Sequence, residues 1–337
     1  MIQEGVQLKD FTTLQVGGPA ELFTTVVSEQ ELLDVVKHAK EQGHTIRVIG
    51  EGSNILIPDS GLPGLTIKNA ITGWSEMIDG TDVYVTIGSG ESFDSAAAYT
   101  VSKEYWGLEN LSYIPGTAGA APIQNIGAYG VEIADLITKV QVFNTETEQF
   151  EILEKANCRF GYRDSIFKHA DGKKYIVTSI TCKLSTLHKP VLSYKDLSER
   201  FTHDSAPRVA DIRNAVIDIR SKKFPDWTVV GTAGSFFKNP VVRRVTYEKL
   251  RGEFPGMPGF DVSDNDVKLP LAWVLDKVCG LKGVREGNVG TYQGQALVIV
   301  NNGEATAKEI SAFAELIVQT VYEKTGIEIE WEVTRMS

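Results

Sequence analysis

Within "TIRVIGEGSNILIPDSGLPGLTIKNA", residues 45–70, an apolar strand runs into Gly50-Glu51-Gly52, and short apolar runs broken by proline and glycine follow. A dinucleotide-binding strand–turn–helix unit needs a third glycine three residues after the second, and a helix behind it. Ile55 holds that place and no helical period follows, so the doubly wound nucleotide fold is disfavoured. The glycine turn can still nest a diphosphate through its backbone N–H groups, although an ordinary tight turn suits the same residues. A second partial match, "GSGES" from Gly88 to Ser92, is weaker.

Around this turn the sequence alternates helical and strand periods without internal repeats. In "SEQELLDVVKHAKEQG", Ser28 and Glu31 form a capping box, Leu32, Val35, Val36 and Ala39 make an apolar stripe, and Gly43 ends the predicted helix. "DVYVTIGSGES" predicts a strand and turn, and "FDSAAAYTVSKEY" an alanine-rich helix. Between Leu108 and Gly130 a long glycine-punctuated segment carries too many apolar residues for disorder, which marks it as functional. "ITKVQVFNTETEQFEIL" predicts a hairpin and "KYIVTSITCKLS" another strand. The polar stretch "DLSERFTHDSAP" near residue 200 is the candidate linker. Beyond it, Val209, Ile212, Val216 and Ile219 share a helical face that Pro225 follows. "LPLAWVLDKV" and the Thr306/Glu309-capped run to Gly326 predict two more helices, with strand "QALVIVN" between them. In "IEIEWEV" strict alternation predicts a strand with Ile327, Ile329, Trp331 and Val333 on one face and three glutamates on the other.

At 337 residues the chain is long enough for two or three domains, and its net charge of -10 argues against general nucleic-acid binding, which needs a dominant basic footprint. No apolar run is long enough to span a bilayer and none occupies Met1–Lys9, so the reading is a cytoplasmic protein. Cys158, Cys182 and Cys279 stand far apart, as do the five histidines, so buried free thiols are expected and no metal site is.

Three stretches offer chemistry. "CRFGYRDSIFK", residues 158–168, sets Arg159, Arg163 and Lys168 among aromatics, with Asp164 available to orient a guanidinium for carboxylate or phosphate recognition; on these residues alone a surface hairpin with solvated charges is the stronger reading. Arg220, Lys222 and Lys223 end a helix, where cations complement the macrodipole and also form a candidate diphosphate clamp. "GTAGSFFKNP", residues 231–240, exposes Ser235, but the G-x-S-x-G elbow fails at Phe237 and no histidine is near, so a nucleophilic serine is the weaker reading. Lys238 reads as a solvated amine, and Gly234 as a place of close approach.

Taken in order and spacing, "GEGSN", "IPGTAGAAPIQNIGAYGVE", "CRFGYRDSIFK", "GSFFKNP" and "EWEV" resemble the UDP-N-acetylenolpyruvoylglucosamine reductases, over nearly the whole chain. "PVLSYKDL" points to the type I branch of that family. The resemblance implies an α+β architecture. An FAD-binding fold of the vanillyl-alcohol-oxidase type would occupy residues 1–70 and 71–200, a substrate-binding domain 201–325, and a C-terminal strand 326–337 would contribute to the active site. A monomer is expected, and charge and hydropathy point to one that binds no nucleic acid and does not insert into membranes.

The implied activity passes hydride from NADPH to FAD and on to the enolpyruvyl ether of a UDP-sugar, giving UDP-N-acetylmuramate for peptidoglycan synthesis. Arg163 would be the cation against the developing charge, Ser235 the proton donor, and Glu332 a protonated carboxyl or part of a proton network. FAD would be held by Gly50, Glu51, Gly52, Ser53, Asn54, Gly116, Thr117, Gln124, Asn125, Gly127 and Arg163. Tyr194, Arg220, Lys223, Asn239 and Gln295 would hold the substrate. Thr232 and Trp331 depart from the family pattern; with Trp331 facing away from Glu332, altered packing is the expected consequence. Two other readings stay open: an alcohol or sugar oxidase of the same flavin fold, and a non-catalytic nucleotide-sugar-binding protein.

Overall fold

The computed structural model describes residues 1–201 and 206–337, and these form two compact units whose segments alternate along the chain. Met1–Val6, Ala20–Glu51 and Pro63–Arg220 make the first; Gln7–Pro19, Gly52–Leu62 and Ser221–Ser337 make the second.

A four-stranded sheet in the first unit orders Gln3–Gln7, Pro19–Val26, Leu62–Asn69 and Ile46–Ile49, the last two running parallel. Helix Glu29–Glu41 begins where the sequence predicts: the Ser28 hydroxyl accepts from Glu31 N–H at 3.2 Å. The Glu31 carboxylate reaches back to Val27 N–H, one residue beyond the expected box. Leu32, Val36 and Ala39 are buried with Leu65 and Ile67 of the sheet.

The unit's second sheet is antiparallel, in the order Gln149–Glu154, Ile137–Asn144, Tyr175–Ser185, Asp82–Gly88, Trp74–Asp79. The predicted hairpin is present, with Val140 opposite Leu153. Alternation puts Val83, Val85 and Ile87 on the face that buries helix Phe93–Ser102 through Phe93, Ala96 and Ala97. Cys158 and Cys182 lie in this core, and burial pushes their thiols up to about 11 and about 12, so both stay protonated and inert.

Near residue 200 the structure departs from the expected boundary. Part of the polar stretch is a short helix, Lys195–Ser198, and its residues 202–205 lie outside the described residues. The following helix, Val209–Lys223, carries the predicted apolar face, but Val209, Ile212 and Val216 are buried with Val101, Trp106, Tyr129 and Leu197. Burial of that face therefore places the helix in the first unit as far as Arg220.

In the second unit, strands Gly231–Ser235, Val298–Asn301, Val289–Thr291 and Arg285–Glu286 form an antiparallel sheet. Its core includes Phe236, Phe237, Val289 and Ile299 together with Ile310, Phe313, Ile317 and Val321 of helix Ala307–Thr325. Thr306 and Glu309 form the predicted box, and Gly326 closes the helix with φ +69°.

The predicted final strand is a correction. Ile327 and Ile329 are buried and Glu328 and Glu330 exposed, as alternation requires, yet residues 327–330 join no ladder. Trp331 pairs singly with Phe237, and only Thr334–Arg335 pair as a strand, parallel to Ile55–Leu56. A period of two reports which side of an extended chain is wet, not whether a neighbouring strand is present.

No described helix is long and apolar enough to cross a membrane. Among the described residues no group of three or more His, Cys, Asp or Glu is placed to hold a metal ion.

Candidate active site

The predicted residues fall in both units, and the division passes through the Gly50–Asn54 turn. In the first, the turn and the long loop are tied together: the Glu51 carboxylate accepts from Gly116 N–H at 2.6 Å. At Gly50 a Cβ would stand 2.5 Å from Thr117 Oγ1, so no larger residue fits. In the second, Gly52 has φ +71°, and a Cβ there would lie 2.1 Å from the Phe11 carbonyl oxygen. Thr13 N–H donates to the Gly52 carbonyl at 3.3 Å, and the Thr13 hydroxyl is buried without a partner among the described residues.

The loop from Leu108 to Gly130 is held by side chains instead of a ladder. Asn125 takes a left-handed φ of +46°, and its amide donates to the Glu132 carboxylate (2.7 Å) and the Gly161 carbonyl (2.9 Å) while accepting from Ala134 N–H (3.0 Å). This amide is therefore engaged in shaping the loop. Arg163 docks on the same framework, donating from Nη2 to the Gly127 carbonyl at 2.9 Å and from Nη1 to the Asn125 carbonyl at 3.4 Å. A Cβ at Gly127 would come within 3.1 Å of Arg163 Nη1, so a larger residue there would push on the docked guanidinium. Arg163 has φ +54°, a conformation costly for an arginine and characteristic of functional positions. The "GYRDS" stretch is a tight turn closed by Gly161 and Asp164, not a long hairpin. Asp164 does not orient a guanidinium as expected; its carboxylate pairs with His169 Nε2 at 2.9 Å.

Arg220 is also not the solvated helix-end cation that its position suggested. It is part-buried, its Nε donates to the Tyr113 carbonyl at 2.8 Å, and burial lowers its proton affinity. Burial pushes the neighbouring Tyr129 hydroxyl up to about 12, against the opposing charge of Arg220, so it remains protonated. Tyr194 caps the helix Lys195–Ser198 and sets its ring edge-to-face on Tyr129, with centroids 5.1 Å apart.

Behind Arg220, Asp94 accepts two hydrogen bonds from Arg213, at 2.7 and 3.0 Å, and one from Tyr113 N–H. Burial works to raise its pKa, but the Arg213 and Tyr113 hydrogen bonds and the charges of Arg213 and Arg220 outweigh it and hold the carboxyl below its ordinary range. A depressed carboxylate pKa contributes stability that is present above the unfolded value and lost as pH falls through the folded one. Acid titration of the wild-type melting temperature is therefore expected to drop more steeply below pH ~4 than that of Asp94→Asn, which starts lower at neutral pH. Parallel acid limbs in the two proteins would contradict this assignment.

Ser235 sits at the end of strand Gly231–Ser235. Thr232 pairs with Val300 and Ser235 with Val298, so Ala233 and Gly234 together face Ile299 and the extra residue makes a β-bulge. Gly234 supplies the left-handed φ of +71° that the bulge needs. The space around a Cβ there is open, so conformation, not the expected close approach, requires the glycine. Thr232 braces the bulge: its hydroxyl donates to the Ile299 carbonyl at 2.9 Å and accepts from Gly234 N–H at 3.1 Å. A bulge re-aims the side chains after it, here Ser235.

Fully buried Phe236 and Phe237 anchor the turn, and the Phe236 carbonyl accepts from Glu332 N–H at 2.8 Å. The Glu332 carbonyl in turn accepts from Asn54 Nδ2 at 3.2 Å. Phe236, next in the chain to Ser235, is thus linked through Glu332 to Asn54. Trp331 packs edge-on against Phe236 at 4.8 Å, with Arg335 3.6 Å over its ring. Lys238 is not a solvated amine but pairs with Glu330 at 2.8 Å. Asn239 Oδ1 accepts from Leu271 N–H at 2.9 Å, and Gln295 N–H donates to the Tyr292 carbonyl in a turn. Lys223 ends helix Val209–Lys223.

Residues 20–152 match an FAD-binding domain, and residues 225–336 match the UDP-N-acetylenolpyruvoylglucosamine reductase C-terminal domain. A curated reductase of that name from Polynucleobacter asymbioticus is 38% identical, over 96% of this chain and 94% of its own. The chain belongs to the UDP-N-acetylenolpyruvoylglucosamine reductase family. A second member, from Alcanivorax borkumensis, is 42% identical over 90% of this chain and 87% of its own. The crystal structure of the Thermus caldophilus reductase aligns over the whole of both chains with a TM-score of 0.68 and 28% identity.

Gly50–Asn54 and Gly116–Gly127 lie within the FAD-binding match of this reductase-family chain, and Ser235, Asn239, Gln295 and Glu332 within the C-terminal match. Arg163, Tyr194, Arg220 and Lys223 fall between the two. The residues of the turn fit a flavin dinucleotide: Gly50 and Gly52 leave two of its five positions without a side chain, and the residue bonded to it, Thr13, carries an orphaned buried hydroxyl. Sequence reasoning missed Tyr129, Glu132, Tyr113 and Asp94. Tyr113 and Tyr129 adopt positive φ in a glycine-rich loop, a trait that residue type alone does not announce.

Proposed function

We propose that this protein reduces the enolpyruvyl ether of UDP-N-acetylglucosamine enolpyruvate to UDP-N-acetylmuramate, with NADPH as hydride source, in peptidoglycan precursor synthesis. The observation that carries this reading is the likeness to the reductases along nearly the whole chain. FAD, when bound, supplies the hydride-transfer chemistry. The Gly50–Asn54 turn, with Glu51, and the loop through Gly116, Thr117, Gln124, Asn125 and Gly127 would hold it.

Arg163 is assigned to the enolpyruvyl carboxylate, where negative charge gathers as the double bond is reduced. Two backbone carbonyls fix its guanidinium in advance, so little reorganisation accompanies the charge. Hydride adds to the terminal carbon, and the proton that completes the reduction goes from the Ser235 hydroxyl to the adjacent carbon. A hydroxyl is a weak acid, yet a carbanion-like centre accepts from it when the two are held in line. Glu332, whose N–H is tied to the Phe236 carbonyl, is assigned to the proton network that resupplies the serine. Tyr194, Arg220, Lys223, Asn239 and Gln295 are assigned to the UDP-sugar.

The visible spectrum of the purified protein tests the reading. A yellow protein that bleaches with NADPH and regains its colour anaerobically on addition of the UDP-sugar is expected. A protein that takes up no FAD, or one that bleaches with a simple alcohol and recovers only in air, would overturn it.

A further inference from the structure

Asn110 lies in the short turn Glu109–Leu111 and has no solvent exposure. Its amide nitrogen donates both hydrogens, one to the Tyr129 carbonyl at 2.8 Å and one to the Val191 carbonyl at 2.9 Å. These acceptors belong to different segments. Tyr129 sits in the long loop with a left-handed φ of +49°, and Val191 stands three residues before Tyr194. The Tyr129 and Tyr194 rings pack edge-to-face. Residues 188–193, which lead to Tyr194, form neither helix nor strand, so the bond to Val191 is a main-chain tie in a stretch that has no ladder.

The same amide carries a cost. Asn110 Oδ1 is buried with no hydrogen-bond partner among the described residues. An unsatisfied buried oxygen destabilises the fold, and a leucine of similar shape would remove it. What asparagine offers that leucine cannot is the pair of donors joining the two tyrosine-bearing segments.

We propose that Asn110 is a positioning residue for substrate binding: its amide clamps the residue 188–194 segment to the long loop, setting the Tyr194 ring over the place where the UDP-sugar binds. The inference rests on the reductase reading. It concerns affinity for the UDP-sugar, not the chemistry at Ser235.

The test compares wild type, Asn110→Leu, Asn110→Asp and Tyr194→Ala as FAD-loaded proteins. Each is reduced with dithionite and mixed anaerobically with the UDP-sugar while flavin reoxidation is followed. In Asn110→Leu the half-saturating UDP-sugar concentration is expected to rise about tenfold or more, as befits two lost hydrogen bonds. The limiting rate and flavin absorbance should stay close to wild type, while the melting temperature should fall only modestly: the orphan oxygen is gone, but the Tyr129 and Val191 carbonyls lose their donor. Asn110→Asp, which faces two carbonyls with carboxylate oxygens, should bind more weakly still. In the Asn110→Leu/Tyr194→Ala double variant the leucine penalty should largely vanish, because the two residues act as one unit.

Hydrogen exchange over residues 188–198 should quicken in Asn110→Leu while helix Phe93–Ser102 stays protected. An unchanged half-saturating concentration, or additive effects in the double variant, would overturn the proposal. So would flavin content falling together with the limiting rate, since Asn110 would then be a structural pin. If reduced wild type ignores the UDP-sugar, the functional reading fails. The exchange measurement still decides the clamp, and unaltered exchange over 188–198 would dismiss it.

Discussion

Ser235→Ala is expected to lower kcat by about a thousandfold, within the range for loss of a positioned general acid, while the dissociation constant for the UDP-sugar changes by less than about threefold. The alanine methyl occupies the space of the serine Cβ, and the bulge that aims it depends on Gly234 and Thr232, which the substitution leaves alone. Melting temperature and flavin content should therefore match wild type. Flavin reduction by NADPH should be unimpaired, because the hydroxyl is needed only after hydride has reached the substrate. Single-turnover reoxidation by the UDP-sugar separates the steps. A Ser235→Ala protein that forms product at the wild-type rate would remove serine as the proton donor and leave Glu332 as the group to examine.

The second large effect concerns two glycines with the same backbone conformation. Gly52 and Gly234 both have φ +71°, so alanine at either pays the left-handed cost of about 1–2 kcal/mol. Only at Gly52 does the new Cβ meet backbone, 2.1 Å from the Phe11 oxygen and 2.8 Å from Thr12 Cα. Relieving that collision means moving the turn itself. Gly52→Ala is expected to purify with little or no flavin and to lose about 3 kcal/mol or more of stability in urea titrations. Gly234→Ala should keep its flavin and lose about 1–2 kcal/mol, with Ser235 re-aimed and kcat reduced. Equal flavin content in the two variants would refute the steric argument at Gly52.

Much of the fold was legible because the signals are local. Ser28 and Thr306 cap the helices that their spacing to Glu31 and Glu309 predicts, and the strands at Asp82–Gly88 and Tyr175–Ser185 follow their apolar periods. The final segment shows where such a signal ends, since burial alternates from Ile327 to Glu330 in "IEIEWEV" while the only pairing there among the described residues is the single bridge at Trp331. The helix after residue 208 showed its apolar stripe in the sequence, but which core would receive it was not written there.

The candidate site divides in the same way. The missing third glycine at Ile55 was enough to set aside the doubly wound fold, and the family resemblance carried by the order of the motifs brought Gly50, Arg163, Ser235 and Glu332 forward. Partnerships were another matter. Asp164 and Arg163 are adjacent in sequence, yet Asp164 takes His169 while Arg163 docks on carbonyls 36 and 38 residues away. Glu51 holds Gly116 across 65 residues, and Asn110 reaches Val191 across 81. Backbone preferences and hydrophobic periods act over a turn or two of chain and so are written in consecutive residues. Hydrogen-bond partners of buried polar groups are chosen by proximity after packing, and only the tertiary structure decides them.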